Sequence, residues 1–357
     1  MDALLLNVVN QFQLDGQAVS CEIFGCGHVN KTYLLVTQTG HRYILQRIGP
    51  AFKDVHALQE NVSAIVNHIH KKTDEFYGAL TLIPTVAGEN HVHAPDGGTW
   101  RIYEFIDGGI CLEAAETPDD FYQSALAFGQ FQQQLTDFPA ETLHETIPHF
   151  HDTPDRYRIF RETIAKDPVG RAKDVAEEIA FVLSCEEKAS LLTKYLAEGS
   201  LPLRVTHNDT KLNNVMFRAS DRTPLCIMDL DTTMPGLSAY DYGDAIRFGA
   251  STAAEDEKDL NKVWMDLEMF RLFTKGLLEA CPGLTAKEKE VLPLGAYTMT
   301  LECGMRFLTD YIDGDNYFGI HYPEQNLDRC RTQLKLVADM EAKWDEMQRI
   351  VRDCELK

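Results

Sequence analysis

His207-Asn208-Asp209-Thr210-Lys211-Leu212-Asn213-Asn214 sets an aspartate five residues before an asparagine, and Asp229-Leu230-Asp231 supplies further acids after a short hairpin pattern. Transfer of a phosphoryl group from ATP needs a group that positions and deprotonates the attacking hydroxyl, plus oxygen ligands for magnesium, and little covalent help beyond this. On this spacing Asp209 is the candidate base, with Asn214 and Asp229 as candidate metal ligands. Magnesium takes hard oxygen donors and keeps several waters, so two protein ligands and the ATP phosphates suffice. Any one of these residues alone reads as a polar loop residue closing a turn. The combination H-x-D-x(4)-N, strand, turn, strand, Asp favours the catalytic reading.

The elements that must hold these residues follow from periodicity. Between Val19 and Phe105 the segments Cys21–Phe24, Thr32–Val36, Tyr43–Gln46, Ala79–Ile83 and Arg101–Phe105 read as strands. Gln38-Thr39-Gly40-His41 and Pro95-Asp96-Gly97-Gly98 read as their tight turns. Leu58, Val62, Ile65, Val66 and Ile69 fall at helical spacing and predict one helix from about Leu58 to His70. Gly25 and Gly27 lie between two strands and can form a turn whose amides approach phosphates, although a lone G-x-G is more often an ordinary hairpin. After Asp107-Gly108-Gly109 the pattern turns helical, with Thr117 as cap and Pro118 in the first turn. The stripe from Leu327 through Trp344 to Val351 predicts packed C-terminal helix. Asn214–Arg218 and Leu225–Asp229 predict a hairpin set into this helical region, with polar residues at both ends. The expectation is an α+β chain of two units, a strand-rich 1–106 and a mainly helical 107–357.

Composition narrows the partners. Against 34 Lys and Arg stand 55 Asp and Glu, a net charge of −21, which disfavours nucleic acid and anionic membrane surfaces. Nine scattered cysteines, none spaced C-x-x-C, read as reduced packing residues rather than a disulfide framework or zinc site. Met1-Asp2-Ala3-Leu4-Leu5-Leu6 carries an acid where a signal peptide needs a base, so it reads as a short amphipathic helix. No apolar run approaches the roughly 18 residues of a membrane span. A cytoplasmic location is expected.

The catalytic segment resembles that of the aminoglycoside phosphotransferase and choline kinase superfamily, and the likeness extends to its N-acetylhexosamine 1-kinases. It is carried by Gly25-Cys26-Gly27-His28-Val29-Asn30-Lys31-Thr32-Tyr33, Arg42–Gln46, His149–Pro154, Leu203–Asn214, Asp244–Thr252 and Glu302–Leu308, in order across nearly the whole chain. The resemblance implies a protein-kinase-like bilobal fold, with a small antiparallel sheet lobe and a larger mainly helical lobe. It further implies ATP and Mg2+ as co-substrate and cofactor, and an N-acetylhexosamine whose C1 hydroxyl is phosphorylated. Gly25, Gly27 and Gln46 would face the ATP phosphates, while main-chain groups of Glu104, Phe105 and Ile106 would face adenine. His28, Asn30, Phe248, Glu302, Arg306 and Tyr317 would line the sugar site. Glu302 and Arg306, four apart, are equally suited to an ordinary helical ion pair.

One departure stands out. Many kinases end the third small-lobe strand in a lysine that holds phosphates and pairs with a helix glutamate; this chain has Gln46 there, and Glu60 has no such partner in sequence. Two rival readings therefore remain: another small-molecule kinase of the superfamily, acting on an aminoglycoside, choline or amino alcohol, or a nucleotide-binding scaffold without catalysis. His149-Phe150-His151-Asp152 reads as loop hydrogen bonding in preference to a metal site.

Overall fold

A computed structural model describes residues 2–25, 30–49, 52, 54–73 and 80–355. Asp2 caps helix α1 (Ala3–Val9) by accepting the Leu5 N–H at 2.8 Å. Strands β1 (Ala18–Ile23), β2 (Lys31–Thr37), β3 (Arg42–Arg47), β4 (Val92–His93) and β5 (Thr99–Glu104) form one antiparallel sheet in the order β1-β2-β3-β5-β4. Gly40 and Gly97 close its turns at φ +84° and +79°, where a side chain would be strained. Val8 and Val9 of α1 pack with Leu35, Leu45, Trp100 and Ile102 in a separate apolar cluster.

The expected strand Ala79–Ile83 is corrected. Ala79 lies outside the described residues, and the remainder runs beside β5 on two main-chain bonds, Ile83 N to Ile102 O and Glu104 N to Thr81 O, both 2.9 Å, with one bridge from Leu82 to Tyr103. Pro84, with no N–H to donate, follows at once. Helix α2 (Val55–His70) starts on Asp54, which accepts the Ala57 N–H at 3.0 Å. Its apolar face, Leu58, Val62, Ile65, Val66 and Ile69, belongs to the main core cluster together with residues of the helical lobe.

The larger lobe begins with β6 (Gly109–Cys111) and α3 (Pro118–Gln134), whose start is a capping box between Thr117 and Asp120. It continues through α4 (Thr153–Lys166), α5 (Ala176–Ser184), α6 (Glu186–Ala189) and α7 (Leu191–Ala197). Short strands follow: β7 (Arg204–Thr206), β8 (Val215–Arg218), β9 (Pro224–Ile227) and β10 (Met234–Gly236). β8 and β9 are the expected hairpin; β6 adds to its free edge, and β10 pairs with β7. The chain ends in α8 (Ser238–Gly249), α9 (Leu267–Ala280), α10 (Ala286–Glu290), α11 (Leu292–Asp313), α12 (Gln325–Ala342) and α13 (Trp344–Glu355). The C-terminal stripe is thus two helices, broken at Lys343, whose Nζ donates to Met265 O and Asp339.

Helices α8 and α11 approach through Gly243 and Gly295. A Cβ on Gly243 would stand 2.2 Å from the Gly295 carbonyl oxygen, and one on Gly295 would stand 2.4 Å from that of Ala239. Only glycine permits this backbone contact. The two-lobed α+β arrangement expected from the sequence is the observed one.

Candidate active site

β7 delivers the chain into a loop that is held from beneath by α8. Asp241, in the first turns of α8, accepts the N–H of His207 at 2.9 Å and of Asn208 at 2.8 Å, one on each carboxylate oxygen. Gln132 of α3 donates to it at 3.0 Å. Burial pushes the Asp241 carboxyl above its ordinary range, against the pull of His207 and these N–H donors. One turn later Asp244 accepts the Thr210 N–H at 2.9 Å and pairs with Arg247 at 3.1 Å. This fixes a loop in which Asn208 takes φ +64°, a left-handed conformation that Asn tolerates better than most residues.

The candidate base and metal ligands meet at the end of the β8–β9 hairpin. Asn214 Nδ2 donates to the Asp209 main-chain oxygen at 2.8 Å and to its carboxylate at 3.0 Å, which turns the Asn214 amide oxygen away from Asp209. Met228 N donates to Asn214 O at 2.8 Å, so the ladder sets Asp229 beside Asn214. Asp229 takes φ +53°, and its side chain is open to solvent although surrounded by protein. Burial, followed by the charge of Asp231, pushes its carboxyl up to about 6. A carboxylate crowded by a second acid, next to an amide oxygen turned away from Asp209, is a donor set that fits magnesium.

Two neighbours complete the arrangement. Lys211 Nζ lies 2.8 Å from Asp209 Oδ1; burial lowers its affinity for the proton, but Asp209 and Asp244 outweigh this and raise it. His207 is fully buried against the edges of Phe128 and Phe131. Its Nδ1 accepts the Asp209 N–H at 3.3 Å and its Nε2 faces Met228 O at 2.8 Å, so the proton belongs on Nε2. Neither Lys211 nor Asp241 was singled out by spacing. Lys211 stands two residues beyond Asp209, the one signal the sequence offered for it, and Asp241 offered none.

In the small lobe Gly25 follows β1 at φ +75°, with no atom of the described residues within 4 Å of where a Cβ would stand. Gly27 and His28 lie outside the described residues. Gln46 accepts from Arg101 Nε and Nη2 at 3.1 and 2.9 Å and donates to Thr32 at 3.2 Å. Asn30 donates to Asp231 at 2.7 Å and accepts the Gly49 N–H at 2.9 Å. Both side chains are thereby engaged within the protein. Phe105 lies under Arg42 and edge-on to Phe24, and the Glu104 side chain bonds to His41. Ile106 is buried with Tyr103 and Leu225, flanked by half-buried Ile44, Met216 and Met228. Glu60 is held by His144 at 2.7 Å and His56 at 3.3 Å.

The remaining candidates gather on and around α11. Glu302 is 1% exposed; it bonds to His151 Nδ1 at 2.9 Å and Thr153 at 3.4 Å and makes no ion pair with Arg306. Burial raises its carboxyl, but His151, then Arg156 and Arg306, bring it below the usual range. Arg306 lies over the rings of Phe150, Phe318 and Tyr317 at 5.6, 5.4 and 5.9 Å. Tyr317 is 74% exposed and Phe248, near the end of α8, is half-exposed. His149 and Asp152 bond to each other at 2.8 Å. His151 Nε2 and Arg156 Nε, both buried, have no hydrogen-bond partner among the described residues.

The sequence pattern of the phosphotransferase enzyme family matches residues 20–263. Solved structures share the fold over nearly the full length. The microcompartment-associated aminopropanol kinase is 17% identical with a TM-score of 0.62, covering 96% of this chain and 98% of its own. An aminoglycoside phosphotransferase from Alicyclobacillus acidocaldarius is 15% identical with a TM-score of 0.63, covering 97% and 96%. Choline kinase LicA from Streptococcus pneumoniae is 14% identical with a TM-score of 0.51, covering 90% and 94%. The bilobal fold is therefore the kinase-like one.

Proposed function

Because the chain belongs to the phosphotransferase enzyme family, we propose that it is an ATP- and magnesium-dependent kinase that phosphorylates the C1 hydroxyl of an N-acetylhexosamine, GlcNAc or GalNAc, to the sugar 1-phosphate. The observation that carries the kinase reading is the joining of Asp209 to Asn214 at 3.0 Å with Asp229 alongside. Asp209 takes or steers the proton of the acceptor hydroxyl, and Lys211 beside it offers positive charge toward the transferred group. Asn214 and Asp229 would hold the magnesium, which when bound neutralises charge on the ATP phosphates. Ile44, Ile106, Met216 and Met228 offer apolar surface for adenine, with main-chain groups of Glu104 to Ile106 at its edge. Gly25 and Gln46, with Gly27, would stand by the phosphates.

The acceptor reading rests on the α11 cluster. Carboxylate, guanidinium and phenol suit hydroxyl and acetamide groups, and His28 and Phe248 are the further candidates, Asn30 being taken up by Asp231 and Gly49. A cationic acceptor, such as an amino alcohol or choline, is disfavoured by the two guanidiniums of Arg156 and Arg306. Burial, and then the nearby Arg306 charge, pull Arg156 below its ordinary value. The test is a panel of sugars and amino alcohols with ATP and magnesium, assayed by ADP release. N-acetylhexosamine should be turned over and its 1-O-methyl glycoside should only compete. Phosphate transfer to the methyl glycoside, or mainly to the C6 hydroxyl, overturns the anomeric assignment and leaves the kinase reading standing.

A further inference from the structure

The largest fully buried side chain of the described residues is charged: Arg101, on β5, is 1% exposed. Its strand neighbour in register is Gln46, the residue at the usual lysine position. Arg101 Nη1 and Nη2 bind the two oxygens of Asp231 at 2.5 and 2.9 Å, and Nε and Nη2 bind Gln46 at 3.1 and 2.9 Å. The guanidinium lies over the Tyr103 ring at 5.0 Å. Asp231 also accepts from Asn30, so one buried carboxylate of the larger lobe is held by the residue before β2 and by β5, with β3 bracing the arginine.

Asp231 is two residues beyond Asp229, in the 3-10 turn Leu230–Thr232. The same turn grips the Asp209 loop: Thr232 Oγ1 donates to His207 O at 2.7 Å, and Asn208 Nδ2 donates to Thr232 O at 2.9 Å. A continuous chain of bonds therefore runs from β5 through Asp231 and Thr232 to both Asp229 and Asp209.

Buried ion pairs are poor sources of stability, because desolvation offsets the attraction; their best-attested use is to fix one arrangement among several. The two-pronged bond suits that task, since it fixes direction as well as distance. We propose that Arg101 is a positioning residue for phosphoryl transfer. It ties Asp229 and the Asp209 loop to the sheet that would carry the nucleotide, from the strand position beside the one where many kinases keep a lysine. This rests on the kinase reading.

The test compares Arg101→Lys, Arg101→Met and the double variant Arg101→Met/Asp231→Leu with the wild type. Three quantities are measured: Tm, Mn2+ affinity in the presence of ADP by electron paramagnetic resonance of free Mn2+, and kcat with ATP. Arg101→Lys keeps the charge but loses the fork, and should fold, bind Mn2+ several-fold more weakly and lose about tenfold in kcat. Arg101→Met should lose about 10²-fold, the scale of a small misplacement of reacting groups. The double variant removes the orphaned charge and should regain Tm without regaining kcat or Mn2+ affinity. Recovery of all three together in the double variant, or wild-type Mn2+ affinity and kcat in Arg101→Lys, overturns the proposal. Failure of the kinase reading looks different: Asp229→Asn would leave Mn2+ binding unchanged, and wild-type protein would transfer phosphate to no alcohol.

Discussion

The Nε2–H of His207 donates to the main-chain oxygen of Met228 at 2.8 Å, which joins the residue two before Asp209 to the residue one before Asp229. The candidate base and the candidate metal ligand are thus referred to a single buried ring. His207→Leu keeps apolar volume and loses both ring bonds. It should cost about 1–3 kcal/mol of stability through the unpaired groups and lower kcat at least tenfold. Calorimetry and steady-state rates check this; unchanged kcat in the folded variant would count against the coupling.

Asp209→Asn should leave nucleotide binding intact, because Asn214 still has the residue 209 main-chain oxygen to bind at 2.8 Å. Turnover should fall by about 10²–10⁴-fold, the usual loss on removing a positioned base. A variant with more than half the wild-type kcat shows that Asp209 is not the base.

Arg306→Ala should weaken kcat/KM for the acceptor by about 1.5–3 kcal/mol if a charge-assisted hydrogen bond is lost. The KM for ATP should stay put, since Arg306 lies among Phe150, Tyr317 and Phe318, none of which is assigned to the nucleotide. Equal effects on both substrates would place Arg306 in the scaffold.

Acid stability should depend on Glu288. Burial pushes its carboxyl up, but the fork of Arg204 at 2.9 and 2.8 Å and the Thr285 N–H at 2.8 Å bring it below the ordinary value. A depressed folded value stabilises the protein above the unfolded value of about 4.3 and loses that contribution as pH falls through the folded one. Tm measured from pH 6 downward should drop through this window in the wild type. Glu288→Gln should start lower and fall less steeply; parallel curves would exclude Glu288 as a contributor.

Local signals carried much of this structure. Thr117, Pro118 and Asp120 announced α3 by themselves, and the alternation around Ala219–Pro224 announced the hairpin that presents Asn214 and Asp229. Relationships set by tertiary packing were hidden. Arg101 looked like any strand residue, because its meaning depends on Asp231, 130 positions away. Asp241 and Gln132 likewise acquire a role only when α8 and α3 close on the loop after β7. Gln46 was legible as a substitution, but not as the brace of a neighbouring arginine.

The missing side chains at Gly243 and Gly295 limit how this molecule can diversify. α8, whose Asp241 and Asp244 seat the Asp209 loop, and α11, which bears Glu302 and Arg306, touch backbone to backbone and have no slack to slide. Any added carbon at the crossing would wedge apart the helices on which the Asp209 loop and the α11 cluster depend. On the proposed function, new acceptor preferences would arise at the perimeter, in the segments around Phe150 and Tyr317 that end against Arg306, while the helix crossing is inherited as a fixed gauge.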